Sequence, residues 1–157
     1  MPVFKSRVDK TTAAYASNRT AMLGLIDELR SLEGRAVAVS NRRAATFEAR
    51  GQLPPRERLA RLLDPGMPFL RLHTLTNYLL EDPDPETSVP GGSVILGIGF
   101  IQGARCMIWA DDSGIRAGAA TRGGWLAALN AQEMAIRLKL PLPWRPRGVS
   151  WHEHLGL

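Results

Sequence analysis

The run Val94-Ile95-Leu96-Gly97-Ile98-Gly99-Phe100-Ile101 constrains this chain more than any other stretch. It is apolar throughout, holds two glycines, and is far shorter than the roughly 20 residues that a membrane-spanning helix needs. Read as a strand, it places Val94, Leu96, Ile98 and Phe100 on one face, because side chains alternate with period two. Gly103-Ala104 can then make a tight turn that lets residues 105–110 run back antiparallel. Gly97 and Gly99 imply a close backbone approach or a bend, since glycine inside a strand otherwise only weakens it. Cys106 alternates to the inner face of the returning strand, where a free thiol packs as a small apolar group.

Other stretches have helical spacing. Across residues 9–32, Met22, Leu25, Ile26, Leu29 and Leu32 recur at three- and four-residue steps and predict an amphipathic helix. Gly34 is suited to ending it, with a second helical stretch over residues 35–50 that Gly51 breaks. Pro54 and Pro55 then open a short helix with Leu59, Leu62 and Leu63 as its buried side, stopped by Asp64-Pro65-Gly66. Residues 69–72 alternate like a short strand with His73 at its edge, and residues 81–86 form an acidic, proline-broken loop. Helical spacing returns over residues 122–139. There Trp125, Ala128, Leu129, Ala135 and Ile136 share a side, and the helix is expected to pack on the hairpin through Trp125 and Leu129. Strand, strand, helix is the resulting order.

Composition narrows the function classes. Hydrophobic residues at 45% and charged residues at 22% are ordinary for a folded domain, which excludes wholesale disorder. One cysteine cannot make an internal disulfide or a zinc ribbon, and it suits a reducing, cytoplasmic setting. No apolar signal core follows Met-Pro-Val-Phe-Lys. The net charge of +5 raises the question of an acidic partner, and Arg42, Arg43, Arg50, Arg56 and Arg58 concentrate it. Nucleic-acid modules interleave aromatic residues with such charge, and here only Phe47 is present, so a solvated face or subunit contact is the better reading. Gly91-Gly92 lacks the Gly-Lys-Ser/Thr of a phosphate loop. His152-Glu153-His154 are consecutive, share no face and have no third ligand, so no metal site is expected, and no catalytic Ser-His-Asp or Cys-His set can be assembled.

Three ordered stretches together resemble the carboxyltransferase subunits of biotin-dependent acyl-CoA carboxylases of the methylcrotonyl-CoA, propionyl-CoA and geranyl-CoA types. They are Ala49-Arg50-Gly51-Gln52-Leu53-Pro54-Pro55-Arg56-Glu57-Arg58-Leu59 with Leu62-Leu63-Asp64-Pro65-Gly66; Pro90-Gly91-Gly92-Ser93-Val94-Ile95-Leu96-Gly97-Ile98-Gly99; and Ala110-Asp111-Asp112 with Gly118, Ala131-Gln132-Glu133 and Leu140-Pro141-Leu142. Pro68-Phe69-Leu70-Arg71-Leu72 looks closer to the methylcrotonyl-CoA and geranyl-CoA types. The resemblance covers about residues 20–142. It implies an α/β fold of the ClpP/crotonase superfamily: a helical N-terminal extension at 1–66, the start of a crotonase-like domain at 67–142, and an atypical tail at 143–157.

The resemblance also implies a chemistry. In such proteins carboxybiotin, carried by a separate protein or domain, gives its carboxyl group to the alpha or gamma carbon of an acyl-CoA, and backbone N–H groups meet the thioester oxyanion. Those donors lie on a glycine-rich turn after a strand expected to begin around Leu140, and residues 143–157 do not spell that turn. The expectation is an N-terminal carboxyltransferase fragment, inactive alone, whose status as an enzyme is open. Its expected partners are an acyl-CoA, a biotin carboxylase or biotin-carrier subunit, and further copies in a homo-oligomer; it binds no biotin directly. The small-residue loop between strand and helix is the candidate acyl-CoA contact, through Ser113, Arg116, Ala117, Gly118 and Ala119. Where the family shows asparagine, paired glycines and paired lysines, this chain has Asp111, Ala117 with Gly118, and Leu126 with Ala127; Gln52 replaces a further lysine. Arg116 and Arg122 partly compensate the lost charge.

Two rival classes are a noncatalytic crotonase-like assembly piece and a basic RNA-binding module. The first is tested by size-exclusion chromatography and acyl-CoA titration, the second by salt-dependent RNA binding. The tail carries its own expectation. If Arg145 is written AGG, reading Pro143-Trp144-Arg145-Pro146-Arg147-Gly148 from the third base of the Pro143 codon gives Val-Glu-Ala, a small residue and Gly, which resembles the family's oxyanion turn. Residues 143–157 are therefore expected to arise from a shifted reading frame. Sequencing the gene tests this: a carboxyltransferase-like alternative frame is expected, and an immediate stop codon there refutes it.

Overall fold

A computed structural model describes residues 6–117 and 119–143. In chain order it contains α1 (Ala13–Asn41), α2 (Ala44–Glu48), α3 (Pro55–Leu62), β1 (Leu70–Leu72), β2 (Val94–Ile101), β3 (Ala104–Asp111), α4 (Ser113–Arg116) and α5 (Arg122–Leu138). The strands make one antiparallel sheet in the order β1-β2-β3. The 144–157 tail, including the three residues of the His-Glu-His sequence, lies outside the described residues.

β2 and β3 form the expected hairpin, with Ile101 opposite Ala104. Its turn is Gln102-Gly103, one residue earlier than the sequence suggests, with φ 49° and 75°. Two positive φ values match the twist of the flanking strands. Asp64 holds this turn: its Oδ1 accepts from the Gln102 N–H and its Oδ2 from the Gly103 N–H, each at 2.7 Å. The Asp64 N–H in turn donates to the Phe100 carbonyl at 2.9 Å. The turn that stops α3 thereby fixes the far end of the hairpin.

The sheet is covered on both faces. On one, Leu96 and Met107 pack with Ala127, Ala131 and Ala135 of α5, flanked by Val94, Ile98 and Trp109. On the other, Ile95, Cys106 and Ile108 pack under Leu59, Leu63 and Phe69. Burying a side chain as fully as Leu96, Met107 or Ile108 contributes about 1.5–3 kcal/mol. Phe69 accounts for the two strand glycines. A Cβ on Gly97 would stand 2.5 Å from the Phe69 ring and from the Leu70 carbonyl oxygen, and one on Gly99 would stand 2.8 Å from Leu63. The close approach expected at these positions is therefore a ring laid across the strand.

Two expectations are corrected. Gly34 does not end a helix, because α1 runs unbroken to Asn41. A mid-helix glycine costs only about 0.5–1 kcal/mol, and burial of Ala36 and Ser40 beyond it outweighs that. α5 does pack on the hairpin, but not through Trp125 and Leu129, which are 55% and 43% exposed, as is Ile136 at 78%. The alanines face the sheet instead, since they let the helix axis come closer than a Trp-Leu face allows. The apolar stripe of α1 divides in the same way: Met22, Leu25 and Leu29 are exposed, whereas Ala36 and Ser40 farther along it are buried. No described helix is long and apolar enough to cross a membrane.

After α5 the chain turns at Lys139, whose φ is positive. The Met107 N–H donates to the Pro141 carbonyl at 2.8 Å, and Leu140 and Leu142 join the α5-side core. Residues 140–142 thus lie along β3, where the sequence suggests that a new strand begins.

The ring across Gly97 generates a prediction. Gly97→Val forces a branched side chain into the space of Phe69 and the Leu70 carbonyl, and overpacking of this kind costs about 1–3 kcal/mol or more. Urea denaturation of the two proteins is expected to show a lower midpoint for the variant, and an unchanged midpoint contradicts the packing described.

Candidate functional site

The candidate loop begins where β3 runs out at Asp111. The next residue, Asp112, is fully buried, and its N–H donates to the Ser93 carbonyl at 2.8 Å. Its carboxylate faces backward, into the two helices that precede the sheet. Ser40 Oγ of α1 donates to Oδ1 at 2.5 Å, and Arg56 Nη2 of α3 lies 2.9 Å from Oδ2. Oδ2 and Arg56 Nε have no aligned hydrogen-bond partner among the described residues, so this is a point contact of charges rather than a two-pronged fork. Burial pushes the Arg56 guanidinium below its ordinary pKa; attraction to Asp112 opposes that and the nearby Arg71 adds to it.

α4 leaves this anchor with no freedom to slide along α1. A Cβ on Gly114 would lie 2.6 Å from the Ser40 carbonyl oxygen. Ala117 follows in the left-handed region at φ 51°, ψ 27°, and the Ala119 N–H donates to the Arg116 carbonyl at 2.9 Å.

α5 then starts under a second close contact. Thr121 is its N-cap: its hydroxyl accepts from the Gly124 N–H at 3.0 Å and donates to the Gly92 carbonyl at 2.8 Å. A Cβ on Gly92 would meet Gly124 at 2.9 Å and Thr76 at 2.6 Å. Gly92 is therefore a packing device that seats the start of α5.

The sequence-chosen residues distribute unevenly. Ser113 is half-buried, while Arg116, Ala117 and Ala119 are exposed together; Gly118 lies outside the described residues. Arg116 Nη2 forms an ion pair with Glu81 of the acidic loop. That loop is tied down again where Arg35 of α1 donates to the Pro85 carbonyl. Between α4 and the loop lies a shallow cleft of about 140 Å³ lined by Asn77, Glu81, Asp82, Thr87, Ser88, Val89 and Arg116. Asn77 is buried, with φ 68°, and its Oδ1 has no partner among the described residues. Sequence reading missed the Ser40–Arg56–Asp112 set. The available signal was an aspartate directly after a strand, in a chain whose arginines cluster upstream. His73 sits just past β1, with Nε2 3.0 Å from Asn130 Oδ1. Among the described residues no group of three His, Cys, Asp or Glu side chains is placed to hold a metal.

Comparison with known proteins puts a family beside this geometry. The family model described as "Carboxyl transferase domain" matches residues 47–145. The methylcrotonoyl-CoA carboxylase beta chain of Arabidopsis thaliana is 40% identical over 85% of this chain and 22% of its own length. A probable biotin-dependent acyl-coenzyme A carboxylase beta2 subunit of Mycobacterium tuberculosis is 31% identical over 89% of this chain and 26% of its own. Among solved structures, the beta subunit of P. aeruginosa geranyl-CoA carboxylase superimposes with a TM-score of 0.77 at 41% identity, over 89% of this chain and 26% of that one. The transcarboxylase 12S core shares the fold at a TM-score of 0.65 and 24% identity. The chain spans about a quarter of the length of these relatives.

The exposed ion pair at the loop yields the prediction of this section. Solvent-exposed pairs contribute about 0.2–1 kcal/mol, so Arg116→Ala is expected to lower stability by no more than about 1 kcal/mol. A thermal melt several degrees below that of the parent would show that Arg116 holds the loop structurally.

Proposed function

The chain belongs to the carboxyl transferase domain family, and on that premise we propose that it is the acyl-CoA-side, N-terminal portion of an acyl-CoA carboxylase carboxyltransferase subunit. The observation that carries this reading is the match to the geranyl-CoA carboxylase beta subunit, which aligns 89% of this chain at 41% identity. In this reading residues 1–66 are a helical extension, residues 67–142 begin a crotonase-like domain, and residues 143–157 are an atypical tail. Ser113, Arg116, Ala117, Gly118 and Ala119 contact the acyl-CoA. Arg116 has the chemistry for this role. Its guanidinium is exposed, and its present partner, Glu81, is a surface carboxylate that a phosphate can replace as acceptor.

The carboxyl group would come from biotin carried by a biotin carboxylase or carrier subunit. We assign no residue of this chain to biotin. In this reading the chain binds acyl-CoA without turning it over alone, in an assembly that includes further copies, and its single cysteine, Cys106, supports a reducing, cytoplasmic setting. The noncatalytic assembly reading keeps one observation in its favour, the exposed apolar residues Trp125, Leu126, Leu129 and Ile136 on α5.

Calorimetric titration of the full chain with 3-methylcrotonyl-CoA and geranyl-CoA tests the reading. Saturable binding is expected, about tenfold weaker in Arg116→Ala, which corresponds to about 1.4 kcal/mol. No carboxyl transfer from carboxybiotin is expected without a partner. Absence of binding to either acyl-CoA overturns the proposal in favour of the assembly reading.

A further inference from the structure

We propose that Asp112 is a positioning residue for the candidate acyl-CoA loop, setting through its grip on α1 and α3 where Arg116 and Ala117 stand. The inference rests on the acyl-CoA reading of that loop.

Asp112 occupies the N-cap position of α4, where an aspartate ordinarily accepts from the amides of its own helix. It makes no such bond. Its carboxylate instead receives Ser40 Oγ at 2.5 Å and lies 2.9 Å from Arg56 Nη2. Its side chain has no exposure, and that of Arg56 has 22%. A buried ion pair is weak grounds for stability, because apolar residues of similar volume often serve as well. Its distinguishing property is direction, and here three elements meet in one carboxylate: the end of α1, the start of α3 and the root of α4.

The neighbouring contacts pass that direction on to the loop. The Asp112 N–H is fixed to the Ser93 carbonyl at the start of β2, and the Ile115 N–H donates to the Asp112 carbonyl at 3.1 Å. Gly114 lies against Ser40 too closely for a side chain, so α4 follows any displacement of the end of α1. Arg116 is the last residue of α4 and Ala117 its left-handed exit. The unaligned Oδ2–Arg56 contact leaves Ser40 as the directional bond and the arginine as a close, non-directional charge beside the carboxylate.

The test compares the full-length chain with Asp112→Asn, Arg56→Lys and Ser40→Ala, using amide NMR spectra and titration with 3-methylcrotonyl-CoA. In Asp112→Asn the amide resonances of 113–119 are expected to shift more than those of Gly99 and Cys106 in the hairpin, and affinity is expected to fall at least tenfold. Arg56→Lys, which keeps the charge, is expected to retain affinity within about threefold of the parent. A merely structural role would lower the melting temperature and spread shifts over the sheet while the folded fraction binds as before. That result, or unshifted loop resonances in Asp112→Asn, overturns the proposal. If Asp112→Asn does not fold, Ser40→Ala decides: loop-confined shifts support the positioning role and their absence refutes it. If the parent chain binds no acyl-CoA, the functional reading fails by itself, and the loop resonances still judge the link between Asp112 and the loop.

Discussion

The architecture depends on close approach between layers where side chains are small or missing. α5 meets the sheet through Ala127, Ala131 and Ala135, and its first turn presses Gly124 against Gly92. On the opposite face Phe69 crosses Gly97 and Gly99. Each contact removes a methylene or more from the gap between layers, and interiors packed near crystal density transmit such differences directly into position. The hairpin is therefore held at a fixed distance on both faces. Asp64 fixes its turn, and Ser93 and Asp112 fix the opposite end by a backbone hydrogen bond. The candidate loop leaves from that second end.

Much of this was legible in the sequence, for reasons that differ by element. The run at residues 94–101 is apolar throughout, and its short length, β-branched and aromatic content and bounding glycines favour a strand, while the turn chemistry of Asp64-Pro65-Gly66 and the glycine at 103 bounded its neighbours. Helix α5 was legible from its spacing, but its orientation was not. Trp125 and Leu129 look like a core face on hydrophobicity alone, and only the bulk already supplied by Leu96 and Met107 on the sheet makes alanine the better fit. Gly34 misled for a similar reason: a local cost of under about 1 kcal/mol was read as a stop, whereas burial of Ala36 and Ser40 against later parts of the chain continues the helix. The loop itself was proposed from its small residues. Its anchor was not, because Ser40, Arg56 and Asp112 are far apart in sequence and no periodicity connects them.

The electrostatics of the loop follow from which of its charges are buried. Resemblance to the family leads one to expect paired lysines at Leu126 and Ala127, yet the two positions are unlike. Leu126 is 55% exposed, where a lysine would be solvated, while Ala127 is buried between Leu96 and Met107. A lysine at Ala127 would need both a partner and space that the alanine-faced core does not have. Arg116 carries its charge outside that core. It stands at the end of α4, exposed, with its charge offset only by an acidic loop that Arg35 holds in place from α1. Arg56 is the converse: an arginine whose charge is spent inside the fold, on Asp112, and is thereby withdrawn from any ligand. Of these two cations, the burial pattern sets one against the carboxylate at the root of α4 and leaves the other facing outward from its end.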